Sequence, residues 1–407
     1  MLTYQYTARD AATGRHVKAE VQADSEQSAA KLIRNEGLTP IEISLSASGG
    51  FLGLTHEKRV KARDKVLFSR QLSTLINAGL PLVQALRSVS AQTTSKPLKV
   101  VINNVITDVE AGNTLANAMA KYPKVFNRVY ISLVASGETS GTLDQALERL
   151  ANQQEKDADV LAKVRGAMIY PIIVLGVMVC VVIYMLVKVL PQVKILYGQV
   201  GGGASLPLPT VILLALSDFL TQFWWLAIII LGVIVVFASK WTRTVGGKSI
   251  IDKVKMHAWP IGGLFMKMYM ARFARTGTTL IASGVPLIQV LEITGQAVDN
   301  VHIEASLQAA TEKVKVGKSL GDSLQNDPNF LELVPNMLKI GEQSGSMEQM
   351  LGKAADYYEK EVDTEIKNIQ TIIEPVMMIL MGVMALTIVA AVLLPIYNLA
   401  SHAGNIV

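Results

Sequence analysis

The sequence predicts a mainly α-helical integral membrane protein with two homologous six-helix lobes, three transmembrane helices and a small N-terminal α+β module. Three observations predict this class. Half of the 407 residues are hydrophobic, and long apolar runs hold much of that excess. Lysine and arginine are distributed very unequally between the segments that these runs separate. A set of short motifs occurs twice, at a nearly constant separation along the chain.

The first 45 residues have a different pattern from the rest of the chain. Alternating apolar and polar residues predict strands at Leu2–Thr7 and His16–Val21, joined as a hairpin around residues 10–14. A short helix is predicted at 25–35, ended by Gly37, and a third strand at Leu38–Ser44. We therefore expect an α+β module at 1–45. A serine- and glycine-rich stretch then opens a linker, which we place at 46–63.

Three apolar runs are long enough to cross a bilayer, which takes about 20 residues. We place these transmembrane segments at 167–190, 209–239 and 372–397. The densest part of the second run is 223–238, and Asp218 lies near its start, where we expect headgroup depth. Lys188 ends the first run and can extend its amine to the interface.

The distribution of basic residues predicts the orientation in the membrane. Residues 1–166 carry 21 of the 38 lysines and arginines, and residues 240–371 carry 15. The loop at 191–208 carries only one, and residues 372–407 carry none. Because lysine and arginine mark the cytoplasmic side, we expect a cytoplasmic N-terminus, an external loop at 191–208, an external tail at 398–407 and an external C-terminus.

An internal repeat organises the chain. Three segments recur 205 residues later: Phe68-Ser-Arg70 as Phe273-Ala-Arg275, Leu75–Leu82 as Leu280–Leu287, and Gly112 as Gly317. Three others recur 204 residues later: Gly137–Gly141 as Gly341–Gly345, Pro171 as Pro375, and Pro191 as Pro395. A shared register of this length predicts a duplicated domain. We place cytoplasmic helical lobes at 64–166 and 269–371, with a cytoplasmic connector at 240–268.

Cap signals predict where the helices of a lobe begin and end. Gly79 and Gly112 are suited to left-handed positions after helices, and Asp64 is a candidate cap for the first helix. The Gly137-Glu-Thr-Ser-Gly141 motif is predicted to be a turn before the last helix. Thr142 to Gln145 fits a capping box that would begin that helix, as does Ser346 to Gln349 in the second copy. The last helix is expected to continue into the span, with Pro171 or Pro375 inside it.

Catalytic and cofactor motifs were sought without success. Cys180 is the single cysteine, which excludes an intramolecular disulfide. Gly246–Ser249 and Gly317–Ser319 approach a phosphate loop, but Thr242 and Glu312 replace its first glycine. Asp144 and Glu148 lie four residues apart on one helical face, a weak candidate for a hard cation; a solvated acidic face is the favoured interpretation. We expect no cofactor, no nucleic acid and no enzymatic activity.

The repeated motifs resemble those of the inner-membrane platform proteins of type II secretion systems and type IV pili, the F or PilC family. The matching residues are Phe68–Leu72, Gly79–Leu82, Gly137–Gly141 with Leu143, and Tyr170-Pro171, each with its second-copy partner. The resemblance covers residues 1–400. The second copy departs from the first at Glu374-Pro375, where a glutamate replaces the tyrosine.

The resemblance implies a mechanical role in the bacterial inner membrane. A protein of this kind would couple a cytoplasmic hexameric ATPase to the extraction of pilin or pseudopilin subunits, together with other inner-membrane assembly proteins. A homo-oligomer is expected, and the choice between a pilus and a secretion system stays open. The candidate structural or partner-contact residues are Gly137, Glu138, Gly141, Gly341, Glu342, Gly345, Pro171 and Pro375.

An oligomeric transporter or channel is the alternative. Transport paths place ionisable residues at mid-membrane depth, whereas Lys188, Asp218 and Glu374 all lie near the ends of the predicted spans. An intramembrane enzyme would need an acid pair or a nucleophile with its base inside the spans, and the sequence offers neither.

Overall fold

The computed structural model describes residues 2–10, 16–23, 26–35, 38–45, 60–192, 195, 208–242 and 244–403. The chain forms two compact units, at 1–59 and 60–407, which are considered separately. Four predicted features lie wholly or largely outside the described residues: the hairpin turn at 10–14, the linker at 46–63, the loop at 191–208 and the last residues of the tail at 398–407.

The N-terminal unit contains a three-stranded antiparallel sheet and one helix. Its elements are β1 (Leu2–Asp10), β2 (His16–Ala23), α1 (Glu26–Asn35) and β3 (Leu38–Leu45). The strand order is β2-β1-β3, so the first strand is central. Tyr6 and Ala8 of β1 are buried together with Ile33 of α1, because alternate residues of a strand share one face.

The second unit contains two lobes with the same order of six helices, which confirms the predicted duplication. Lobe 1 consists of α2 (Ala62–Asn77), α3 (Leu82–Gln92), α4 (Lys96–Glu110), α5 (Leu115–Ala120), α6 (Arg128–Ser140) and α7 (Leu143–Tyr184). Between the lobes lie α8 (Leu208–Gln222), α9 (Trp224–Trp241) and α10 (Val245–His257). Lobe 2 consists of α11 (Gly262–Ala282), α12 (Leu287–Val298), α13 (Val301–Lys315), α14 (Leu320–Leu324), α15 (Leu333–Ser344) and α16 (Met347–Ala403).

Glycines end equivalent helices in both lobes. Gly79 and Gly284 have φ angles of +82° and +79°, and Gly112 and Gly317 have +92° and +87°. Side chains with a Cβ rarely adopt this left-handed conformation, which explains why glycine recurs at these positions. Other cap predictions were wrong. Lys61, not Asp64, precedes α2, and Thr142 makes no capping hydrogen bond to α7 because its hydroxyl pairs with that of Ser140, 2.6 Å away.

Two helices run from a lobe into a candidate membrane span without interruption, as predicted. One covers Leu143–Gln192 with Pro171 in its interior, and the other includes Met347–Ala390. With Trp224–Trp241, they are the three helices of the described residues that are long and apolar enough to cross a membrane. The second span differs from the prediction at 209–239, because the chain breaks at Phe223 and α8 and α9 are separate helices.

The middle of α8 packs against the far ends of the two long helices. Leu214 is buried with Met185 and Leu186, where α7 widens into a π-helical turn at Met185–Val189. In that turn the Leu190 amide donates to the Met185 carbonyl, and Pro191 has no amide to offer the Leu186 carbonyl. The buried hydroxyl of Ser217 donates to that carbonyl instead. Thus α8 satisfies a backbone acceptor that the proline leaves without a partner.

The two lobes share an apolar interface. Four residues of lobe 2 are buried in the same core cluster as residues of lobe 1: Leu280 of α11, Val285 between α11 and α12, and Val290 and Ile293 of α12. Polar contacts continue this interface: Gln153 Nε2 donates to Thr276 Oγ1 over 2.9 Å, and Arg149 Nη1 to the Ala282 carbonyl over 2.5 Å. Ser136 adds a hydrogen bond to the carbonyl of Ser283. Lobe 1 therefore presents α6 and α7, whereas lobe 2 presents α11 and α12.

Candidate functional site

The Gly-Glu-x-Ser-Gly motif is the C-terminal end of a helix, not the turn that the sequence predicts. Residues 137–140 form the last turn of α6, and Gly141 follows in the left-handed conformation at φ +73°. A Cβ on Gly137 would lie 2.6 Å from Ala146 Cβ, which shows how closely α7 crosses over α6 here. Gly341 has the same role in lobe 2, where a Cβ would lie 2.8 Å from Met347 Cα. The first glycine permits this crossing and the last one ends the helix.

The glutamate of the motif caps a neighbouring helix. The Glu138 carboxylate accepts hydrogen bonds from the Leu115 and Ala116 amides, at 2.5 and 2.9 Å, at the first turn of α5. Glu342 accepts from the Leu320 and Gly321 amides, at 2.8 and 3.1 Å, at the first turn of α14. An anion at a helix N-terminus satisfies amides that have no partner within the helix. Both carboxylates are therefore engaged inside their own lobes.

An arginine joins the first and last helices of each lobe. Arg70 Nε lies 2.6 Å from Glu155 Oε1, and Arg70 Nη2 lies 2.6 Å from Asn152 Oδ1. The hydrogen bond from Arg70 lowers the pKa of the Glu155 carboxyl below its ordinary value. The arrangement recurs in lobe 2, where Arg275 Nε lies 2.7 Å from Glu359 Oε1 and Arg275 Nη2 lies 2.5 Å from Asp356 Oδ1.

The long helices α7 and α16 are joined by ion pairs on the lobe side of the spans. Lys156 Nζ lies 3.0 Å from Glu359 Oε2, and Lys163 Nζ lies 2.8 Å from both carboxylate oxygens of Asp363. Beyond these pairs, a buried cluster that contains Val362, Ile366 and Ile369 includes apolar residues from both helices. We call the segments of α7 and α16 that carry these pairs, at 156–163 and 359–363, the stems. The two stems are therefore joined to each other before the helices reach the membrane.

Asp157 is partly buried where α7 meets lobe 2. It lines a small cleft together with Met268, Ala271, Arg272 and Arg275. Burial raises the pKa of its carboxyl above the ordinary value, and the positive charge of Arg272 opposes this effect only in part. Ionisation of Asp157 is therefore less favourable in the folded chain than in the unfolded one.

The remaining predicted site residues do not assemble into one centre. Asp144 lies in the first turn of α7, and the Glu148 carboxylate accepts a 3.3 Å hydrogen bond from Asn77. Within the described parts of the chain, no group of three or more histidine, cysteine, aspartate or glutamate residues is placed to hold a metal ion. Pro171 is buried within α7, whereas Pro375 is exposed on α16.

The ion pairs that join the helices are not predicted by the motifs of the sequence. Arg70 and Arg275 belong to a repeated motif, but Glu155 and Glu359 lie outside every motif of the repeat. The spacing contained a signal for them, because the arginines are 205 residues apart and the glutamates 204, the same two offsets as the rest of the repeat.

Comparison with known families gives the duplication an identity. The family model described as type II secretion system (T2SS), protein F, matches residues 68–191 and again residues 273–395. The model of the N-terminal domain of the same family matches residues 1–44. The chain belongs to the type II secretion system protein F family. In both copies, the part that matches this family includes the arginine-linked helices, the Gly-Glu-x-Ser-Gly motif and most of the following span.

Members of the F family from several bacteria are similar to the chain along almost its whole length. The type IV pilus assembly protein PilC of Thermus thermophilus is 38% identical over 408 residues, which cover 98% of each chain. PilC of Pseudomonas aeruginosa is 35% identical over 91% of this chain and 98% of its own. The type II secretion system protein F of Vibrio cholerae is 31% identical, with 98% of each chain covered. The family thus includes both pilus and secretion proteins.

Proposed function

We propose that the chain is a non-enzymatic inner-membrane platform for type IV pilus or type II pseudopilus assembly. It would couple a cytoplasmic assembly ATPase to the extraction of pilin subunits from the bilayer and their addition to a fibre. The observation that carries this proposal is the continuity of each lobe with a membrane span through one long helix. Pro171 and Pro375 each remove one backbone hydrogen bond from these helices. The helix continues on both sides of each proline, so a displacement of either lobe would still be transmitted to its span.

The ion pairs between the stems support mechanical coupling. Lys156 and Lys163 of α7 bind carboxylates of α16, and the Glu359 that receives Lys156 also holds Arg275 of α11. A partner that moves one lobe would therefore exert force on both stems. The printed names of the relatives, which refer to pilus assembly and to secretion, support the choice of machine.

The contacts of the nearest phosphate-loop resemblance support the non-enzymatic half of the proposal. Lys248, the basic residue of the nearest phosphate-loop resemblance, pairs with Asp299 at 2.8 Å, and Thr244 caps the helix that contains it. Hydrolysis would then belong to the partner ATPase. Purified protein with ATP turnover of its own would contradict this assignment.

Recruitment of the ATPase is the sharpest test. Vesicles that contain the protein would be floated through a density gradient with the assembly ATPase from the same bacterium. We expect the ATPase to float with these vesicles and to remain at the bottom with protein-free vesicles. Resistance to protease would first establish that the inserted protein is folded. An ATPase that then stays at the bottom in both cases would contradict the proposal.

The helix ends at Gly137–Gly141 and Gly341–Gly345 stay candidate ATPase contacts, and the structure sharpens their test. Glu138 and Glu342 are engaged in caps, whereas Thr139 and Gln343 beside them are exposed. In the flotation assay, Thr139→Lys with Gln343→Lys should release the ATPase if these ends are contacts. Glu138→Gln with Glu342→Gln should act only through stability.

The proposed orientation has its own test. The cation distribution supports a cytoplasmic N-terminus, two cytoplasmic lobes and an external C-terminus. A reporter active only outside the cytoplasm should be active when it is fused after Val407. Activity of a cytoplasmic reporter at the same position would invert the topology.

A further inference from the structure

The two lobes contact each other through different faces. Lobe 1 contributes face A, defined by Ser136, Arg149 and Gln153, and lobe 2 contributes face B, defined by Thr276, Ala282 and Ser283. Because the lobes are copies of one fold, each also has the face that it does not use in this contact. The interface is thus head-to-tail, and an interface of this type leaves one face of each lobe uncovered.

The uncovered copy of face A lies on lobe 2. The residues equivalent to Ser136 and Gln153 are Ile340 and Tyr357, which are 46% and 50% exposed, whereas Gln153 itself is only 6% exposed. Lys353 replaces Arg149 there and is also exposed, so the basic charge is kept. Two large side chains with apolar surface thus stand in solvent where their lobe 1 equivalents are covered.

The uncovered copy of face B lies on lobe 1. Leu280 and Val285 are buried against lobe 1, but their equivalents Leu75 and Leu80 are only partly buried. Ala78, the equivalent of Ser283, is exposed. An apolar surface would therefore be available to receive Ile340 and Tyr357 from another molecule.

The charged residues that join the stems also recur at the equivalent positions of the other repeat. Within the chain, Lys156 pairs with Glu359 and Lys163 with Asp363. The residues 204 positions from these four keep the same charge at every place: Lys360, Glu155, Lys367 and Asp159. Lys360, Lys367 and Asp159 are exposed and have no ion pair within the described residues. Glu155 already pairs with Arg70. Its equivalent Glu359 pairs with both Arg275 and Lys156, so the contact with an arginine leaves room for a lysine as well.

We infer that a second copy of this chain docks its lobe 1 on lobe 2, through an interface that repeats the one between the two lobes. Lys360 and Lys367 of one copy pair with Glu155 and Asp159 of the next, and Ile340 and Tyr357 cover the surface around Leu75 and Ala78. The inference does not depend on the proposed function, since it concerns only contacts between copies.

The contacts between the stems determine how far one copy is displaced along the helix axis relative to the next. Lys156 pairs with Glu359, which is the second-copy equivalent of residue 155. Lys163 pairs with Asp363, which is the second-copy equivalent of residue 159. The two helices are thus parallel and staggered by at most four residues, which at a rise of 1.5 Å per residue is about 6 Å. This displacement is small beside the roughly 30 Å hydrocarbon core of a bilayer, so two copies docked in this way can both span the membrane.

Site-specific cross-linking tests the interface directly. Two differently tagged full-length chains, both with Cys180→Ala, would carry Asp159→Cys and Lys367→Cys respectively and be co-expressed. A short bismaleimide should join the two tags, because the two positions face each other across copies. The matched control pairs Lys318→Cys with Asp159→Cys, since Lys318 is exposed on lobe 2 away from the stems. Cross-linking of the control but not of the Lys367 pair would overturn the inference.

Charge reversal provides a second readout. Lys360→Glu with Lys367→Glu should weaken self-association in detergent roughly tenfold, measured by mass photometry over a dilution series. Lys367→Asp with Asp159→Lys in one chain restores the attraction and should recover the wild-type association, whereas either change alone should not. Lys318→Glu should have no effect. A wild-type protein that is monomeric at all concentrations, or association indifferent to the two lysines, would contradict the inference.

Discussion

Nε of Arg275 lies 2.7 Å from Oε1 of Glu359, and this contact fastens the first helix of lobe 2 to its last. Arg70 and Glu155 make the same contact in lobe 1 at 2.6 Å. The two pairs differ in environment: the side chain of Arg275 is 18% exposed, whereas that of Arg70 is 35% exposed. Because the two pairs have the same chemistry, a comparison of their contributions to stability isolates the effect of burial.

Arg275→Met should destabilise the protein more than Arg70→Met does. Loss of charge-assisted hydrogen bonds from a partly buried arginine costs about 2 kcal/mol, while a more exposed pair contributes about 1 kcal/mol or less. Thermal unfolding of both variants in the same detergent measures the difference. Equal losses, or a larger loss for Arg70→Met, would show that burial does not govern these pairs.

Gly137→Ala and Gly341→Ala should each destabilise the chain by about 1–3 kcal/mol, because the added methyl group overlaps the following helix. Gly166→Ala is the matched control, since a Cβ there meets nothing within 4 Å. That change should stabilise α7 by up to about 1 kcal/mol. If all three variants unfold at the same temperature, the close approach of α7 and α16 to these glycines is wrong.

Glu138→Gln should cost about 1 kcal/mol, because the charge that caps α5 is lost while the shape is kept. Glu342→Gln should cost a similar amount at α14. Gln145→Ala should cost almost nothing, since the Thr142 amide that it would cap donates to the Gly137 carbonyl instead, over 2.9 Å. Hydrogen exchange of the Leu115 and Leu320 amides should rise in the two glutamate variants. Unchanged exchange there would contradict the capping role.

Asp157→Asn should stabilise the protein at neutral pH. The pKa of this carboxyl is raised in the folded state by burial, so below the unfolded pKa of about 3.9 the group is protonated in both states and contributes nothing. As pH rises, the unfolded chain ionises first, and folding becomes less favourable until the folded pKa is passed. The gain from Asp157→Asn should therefore appear above about pH 4 and then level off.

Thermal unfolding of wild type and Asp157→Asn across this pH range provides the measurement, with the exposed Glu292→Gln as the control. A stabilisation equally large at pH 3 and pH 7 would mean that ionisation of Asp157 is not the cause.

The sequence predicted what local chemistry and repetition determine. The register of the repeat predicted two equivalent lobes. The glycines at positions 79 and 112 predicted left-handed backbone after two helices, which the φ angles of Gly79 and Gly112 confirm. It did not predict contacts between residues far apart in sequence. Glu138 caps a helix that begins 23 residues earlier, and Gln153 reaches Thr276 in the other lobe. The break at Phe223 was also missed, because apolar composition alone does not distinguish one long helix from two shorter ones.

Deletion of the gene in the bacterium that carries it tests the central claim most directly, with surface fibres or secreted substrate counted and the assembly ATPase located by fractionation. The account predicts that fibre or secretion output is lost while pilin and ATPase levels stay normal, and that the ATPase moves from the membrane to the soluble fraction. The intact chain should restore both. Fibres that persist without the protein, or an ATPase that stays on the membrane in its absence, would contradict the platform assignment.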